Sequence, residues 1–145
     1  METLKEVQKY LNQIDNINTG GCGISALAMY RWLKKNDQLQ NTKFVYCYSS
    51  KDVYLNNSNV LRNKSGKASA TSHAVLLHDG QFIDSKGIKD ISIYGWVQII
   101  EEEEFIIKTL NDDVSEWNSY FDRNNIVKIE QELGIDLSDV KRRKE

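Results

Sequence analysis

One thiol stands between glycines, in Gly20-Gly21-Cys22-Gly23, directly before an apolar helical pattern. Farther along, Ser72-His73-Ala74-Val75-Leu76-Leu77 opens an apolar strand pattern, and Asp84 closes the next one. A thiol, an imidazole and a carboxylate are together the parts of a cysteine nucleophile with an oriented base. A free thiol has a reference pKa of about 8.5 and is mostly protonated at neutral pH. The positive end of a helix dipole and a nearby imidazolium both favour the thiolate, and Cys22 in a first helical turn meets the first condition. Its glycine neighbours leave room for a substrate backbone beside the sulfur. Its own N–H, pointing out of the helix start, can donate to a developing oxyanion.

The chain has two histidines, and strand geometry separates them. His73 and His78 are five apart, so they face opposite sides of a regular strand. His73 shares a face with Val75 and Leu77, whereas His78 falls beside the turn as an exposed hairpin residue. Asp79-Gly80 is a strong two-residue hairpin signal. Folding back about it returns Asp84 to the neighbourhood of His73, where a carboxylate can fix the imidazole tautomer. Asp79 lies at the opposite end. The sequence therefore selects Cys22 as nucleophile, His73 as base and Asp84 as its orienting acid.

Several elements must hold these groups. Leu4, Val7, Tyr10, Leu11 and Ile14 have helical spacing over 3–14. Residues 15–21 read as a loop. A second helix runs from Cys22 to about Lys35, with lysines at its negative end. Phe44-Val45-Tyr46-Cys47-Tyr48 is a strand pattern. Residues 56–72, rich in Asn, Ser, Gly and Lys, read as a long exposed loop. Strands follow at 73–77 and 81–84, with further candidates at 91–94 and 96–100. A helix over 101–110 points Phe105, Ile106 and Leu110 inward. Residues 115–121 are ambiguous, 123–133 are helical with a stop at Gly134, and a short helix is expected from Asp136 or Ser138. Helices first, an antiparallel sheet in the middle and helices last define an α+β class.

The bulk properties narrow the function. With 145 residues the chain can bury a core as one domain, 1–145, with a flexible tail from about 136. A net charge of −2 supplies no basic field for nucleic acid or an anionic membrane. The cluster Lys141-Arg142-Arg143-Lys144 reads as a solvated tail. No apolar run reaches membrane-spanning length, and the charged first residues do not form a signal peptide. Two cysteines make no secreted disulfide framework, so a reducing cytoplasmic location is expected. The absence of proline beside abundant Asn, Lys and Ile fits an A/T-rich coding genome such as a viral one.

Helix-borne Cys, strand-borne His and downstream Asp together resemble the papain-like cysteine peptidase and amidase superfamily. Gly21-Cys22-Gly23-Ile24-Ser25-Ala26-Leu27-Ala28-Met29 resembles the Asp-Cys-Gly-x-Ala-Cys-Leu-Ala-Met stretch of bacteriocin-processing, double-glycine-leader peptidases. His73 to Leu77, with Phe82-Ile83-Asp84-Ser85-Lys86-Gly87, resembles their His-(aromatic)-Val-Val-Leu and Asp-Pro-x-x-Gly segments. Transglutaminase-like proteins show a similar Gly-x-Cys helix followed by His-Ala-Trp-Val and a late Asp. The likeness covers about residues 16–87. Gly21 replaces the Asp before the cysteine, and Ser85 replaces the proline. In the peptidases a glutamine six residues before the nucleophile completes the oxyanion hole. That position is Asn16 here, with Asn18 as the fallback.

The resemblance implies a papain-like domain that attacks an amide or isopeptide bond of a protein or peptide through a Cys22 thioester, without cofactor or metal. An amine acceptor would make the same residues a transglutaminase or acyltransferase. A reading of a different class is a noncatalytic papain-like module that binds a partner through residues 56–72 or around Trp117, Tyr120 and Phe121. A zinc site from Cys22, Cys47, His73 and His78 is disfavoured, because they lack close paired spacing and Cys47 sits mid-strand as a core residue. The acidic run 101–104 is explained by a solvated helix start rather than by a cation. Cys22 is expected to be small and near the surface.

Overall fold

The computed structural model describes residues 1–18, 21–48, 73–112 and 122–140. The expected loop 56–72, the ambiguous 115–121 and the basic cluster 141–144 lie outside the described residues. Among the described residues, four helices and a five-stranded antiparallel sheet make the fold α+β. In chain order the elements are α1 (Leu4–Asn12), α2 (Cys22–Lys35), β1 (Thr42–Tyr48), β2 (His73–His78), β3 (Gln81–Asp84), β4 (Gly87–Ile88), β5 (Trp96–Ile100), α3 (Glu103–Asp112) and α4 (Arg123–Leu133). The sheet order is β4-β3-β2-β1-β5. Among the described residues no helix is long and apolar enough to cross a membrane.

Local chemistry sets the boundaries. Thr3 and Glu6 close a reciprocal capping box at the start of α1. Asp79 and Gly80 have φ of 50° and 81°, the two left-handed residues of a type I′ hairpin. The turn fixes the register His78↔Gln81, Leu77↔Phe82 and Leu76↔Ile83. Gly134, at φ 64°, ends α4 in the left-handed conformation.

Alternation divides the sheet into two faces. Phe44, Tyr46, Tyr48, Ala74, Leu76 and Ile83 pack with Ile24, Leu27 and Met29 of α2 in the main core. Val45, Cys47 and Val75 form a smaller cluster on the other face, covered by Leu77, Phe82, Ile91 and Tyr94. Strand directions gather Tyr48, His73, Asp84, Gly87 and Trp96 at one end of the sheet. The loop leading to Cys22 meets the same end, because Gln8 Nε2 donates to the Asp84 carbonyl at 2.8 Å and Asn18 Nδ2 to Ser85 Oγ at 2.9 Å.

Four expectations are corrected. Residues 91–94 are turns, not a strand: Asp90 Oδ1 accepts from Ser92 N, and Tyr94 N donates to the Ile91 carbonyl. The chain there must cross from β4 at one edge to β5 at the other. Phe105 is 46% exposed, while Ile106, Thr109 and Leu110 are the buried face of α3. Residues 138–140 form a turn and a bend in place of the start of a helix, with Asp136 Oδ1 accepting from Ser138 N. His78 is half-buried rather than exposed, and its Nδ1 lies 2.7 Å from Thr42 Oγ1.

Away from the site end, Arg31 ties α2 to α3 and the C-terminal turns. Its guanidinium reaches Glu103 at 3.0 Å, both Asp139 oxygens at 2.7 Å and the Asp136 carbonyl at 2.6 Å. The Arg31 hydrogen bonds hold Asp139 below the usual carboxylate range. Burial alone would raise Glu103, but hydrogen bonds from Lys34 and Arg31 outweigh it and lower the group. Carboxylates lowered in the fold stabilise it above their unfolded pKa of about 4 and lose that contribution as pH falls through the lower folded values. Arg31→Ala is expected to cost about 1–3 kcal/mol in urea unfolding at pH 7, at the low end because Asp139 is half-exposed. The gap from wild type should shrink at pH 3.

Candidate functional site

Asp84 closes β3 and His73 opens β2, so antiparallel pairing brings them to the same end of the sheet, where they meet diagonally. His73 Nε2 lies 3.2 Å from Asp84 Oδ2, and both residues are buried, at 7% and 3% exposure. Asp84 Oδ1 accepts from Lys86 N at 2.8 Å. Burial pushes the Asp84 carboxyl up. The hydrogen bonds from His73 and Lys86 N, with the charges of His73 and Lys89, outweigh it and hold the group below its usual value. An ionised Asp84 makes Nε2 the donor in this contact. Nδ1 then remains to accept a proton, and it has no hydrogen bond among the described residues.

Cys22 is the first residue of α2. Gly21 before it supplies no side-chain cap, so first-turn N–H groups and the positive end of the dipole lie beside the sulfur. The thiol is buried, at 4% exposure, and not near the surface as expected. Cys22 and Asp84 both act electrostatically on the Tyr94 phenol, whose ring stacks parallel to His73 with centroids 6.3 Å apart and planes 8° apart. The structure thus brings His73 and Asp84 into direct contact, and α2, which Cys22 opens, packs against β2.

The two asparagines differ. Asn16 is exposed, has φ 65° and accepts from Gly21 N through its carbonyl at 2.9 Å. Asn18 spends its amide on Ser85 Oγ, which also contacts Asn12 Oδ1 at 3.4 Å. Asn18 and Ser85 therefore pin the pre-Cys22 loop to the turn after Asp84. Sequence reasoning missed this brace, together with Gln8, Lys89 and Tyr94, since polar side chains that meet only in the tertiary fold leave no periodic signal.

Cys47 is the strand partner of His73, is fully buried, and burial pushes its thiol up to about 12. Among the described residues, no three His, Cys, Asp or Glu side chains converge as a metal-binding group. No known family model, curated protein or solved structure matches the chain.

The two thiols should therefore react differently. Iodoacetamide at pH 7 is expected to modify Cys22 in the native protein and to reach Cys47 only after denaturation, as read by peptide mass spectrometry. Native labelling of Cys47 ahead of Cys22 would contradict this assignment.

Proposed function

We propose that the protein is a cysteine-dependent hydrolase of the papain-like kind, acting on an amide or isopeptide bond of a protein or peptide. The observation that carries this reading is the buried His73–Asp84 hydrogen bond, which leaves Nδ1 for a thiol at the start of the adjoining helix. The order helix-borne Cys, strand-borne His and downstream Asp supports it as well.

In the proposed reaction His73 Nδ1 takes the Cys22 proton and the sulfur attacks the substrate carbonyl carbon. The oxyanion is held by the Cys22 N–H, with Asn16 as the second donor. The C–N bond breaks, the imidazolium protonates the leaving amine, and Cys22 keeps the acyl group as a thioester. Water, deprotonated by His73, then releases the acid and restores the thiol. An amine in the place of water would give acyl transfer. Asp84 stays ionised throughout, holding the ring and stabilising its charged form. Substrate binding is expected to tighten the approach of Sγ to Nδ1, as catalytic hydrogen bonds often do in the complex.

The noncatalytic partner-binding module remains the second reading, favoured by the depth of the thiol, which is buried at 4% exposure. Labelling with a peptide vinyl sulfone separates the two. Cys22→Ala should abolish labelling, and His73→Ala should slow it by about 10²–10⁴-fold, the usual worth of a positioned base. Asp84→Asn should slow it less, and far-UV circular dichroism should show each variant folded. Equal labelling of wild type and His73→Ala would leave the binding module as the better account.

A further inference from the structure

The link from β4 to β5 has only residues 89–95 with which to cross the sheet. Four inter-strand gaps put those edges about 19 Å apart, and a chain from Ile88 to Trp96 reaches at most about 28 Å. The two turns within the link consume part of that reach. The crossover is therefore drawn tightly over the second face, where Ile91 and Tyr94 rest on Val45, Cys47 and Val75. Tyr94, near the end of the link, lies parallel to the imidazole.

We propose that Tyr94 is a positioning residue for the base: its ring holds the His73 imidazole in the plane that keeps Nε2 on Asp84 and directs Nδ1 toward Cys22. The proposal rests on the Cys22–His73–Asp84 reading and adds a residue to it. One hydrogen bond at Nε2 leaves an imidazole free to rock about that bond. A parallel, offset aromatic face restricts the tilt and sets no polar group against the ring edge. The groups around this pair are Cys22 from α2, Cys47 from β1, Asp84 from β3 and Lys89 at the start of the crossover. Burial, followed by the charges of Cys47, Cys22 and Asp84, raises the Tyr94 phenol. Its hydroxyl stays protonated and takes no proton from the thiol.

A purely structural Tyr94 would only fill space over Val45, Cys47 and Val75, and leucine would serve nearly as well. The two roles are separated by the rate of Cys22 alkylation by iodoacetamide between pH 5.5 and 8, compared in wild type, His73→Ala, Tyr94→Phe and Tyr94→Leu. Circular dichroism reports folding, and the His73 ring-proton chemical shifts report the stack. Positioning by the ring predicts that Tyr94→Leu slows alkylation at the acidic end by up to about 10²-fold, the scale on which a 1 Å displacement of a reacting group is felt. Tyr94→Phe should keep the wild-type rate profile and the ring-current shift on His73. If His73→Ala slows alkylation while Tyr94→Leu matches wild type, Tyr94 is a filler and only this inference fails. A drop in Tyr94→Phe as large as in Tyr94→Leu would also overturn it, by assigning the effect to the hydroxyl. Equal rates in wild type and His73→Ala would remove the catalytic reading itself.

Discussion

A carboxylate taken out of water must be answered by charge or hydrogen bonds, and the answer to Asp84 organises this end of the molecule. One oxygen meets His73 Nε2 and the other Lys86 N. Together with nearby cations these contacts outweigh the cost of burial, so the group stays ionised. Removing either partner would strand a charge in the interior. The requirement dictates where β2 begins, where β3 ends and why the chain turns sharply at Ser85 and Lys86. It also fixes which imidazole nitrogen is engaged, leaving Nδ1 as the other.

The supporting structure has a simple division of labour. At the site end, neutral polar side chains brace the pieces: Gln8 holds the Asp84 carbonyl, and Asn18 with Ser85 holds the loop before Cys22. Away from it, charged groups do the tying, through Arg31, Lys34, Glu103 and Asp139. Neutral braces disturb the electrostatics of a thiol and an imidazole far less than full charges would. Helix α2 joins the two regions, carrying Cys22 at its first turn and Arg31 near its last.

Much of this could be read in the sequence because it depends on local rules. The Asp79-Gly80 turn predicts the hairpin, the hairpin predicts the return of Asp84 to His73, and alternation sets His73 on the face of Val75 and Leu77. Helices α2 and α4 follow from their apolar spacing and from Gly134. What could not be read depends on tertiary routing. Residues 91–94 have strand composition, but they must carry the chain across the sheet and are bent into turns. Phe105 fits an inward helical face, yet the core turns to Ile106, Thr109 and Leu110 instead. The depth of Cys22 depends on how α2 seats against the sheet, which helix periodicity alone does not specify. The stack of Tyr94 on His73 joins residues from two elements with no pairing register between them.

The central claim is that the Cys22 thiol and the His73 imidazole act as a coupled pair. Its most direct measurement is the pH dependence of the Cys22 alkylation rate in wild type and in His73→Ala, with Cys47 replaced by Ala in both. Coupling predicts that the wild-type rate stays high well below the range of a free thiol. In His73→Ala the rate should rise only as an ordinary thiol ionises, near pH 8.5 or above. Superimposable profiles in the two proteins would contradict the account.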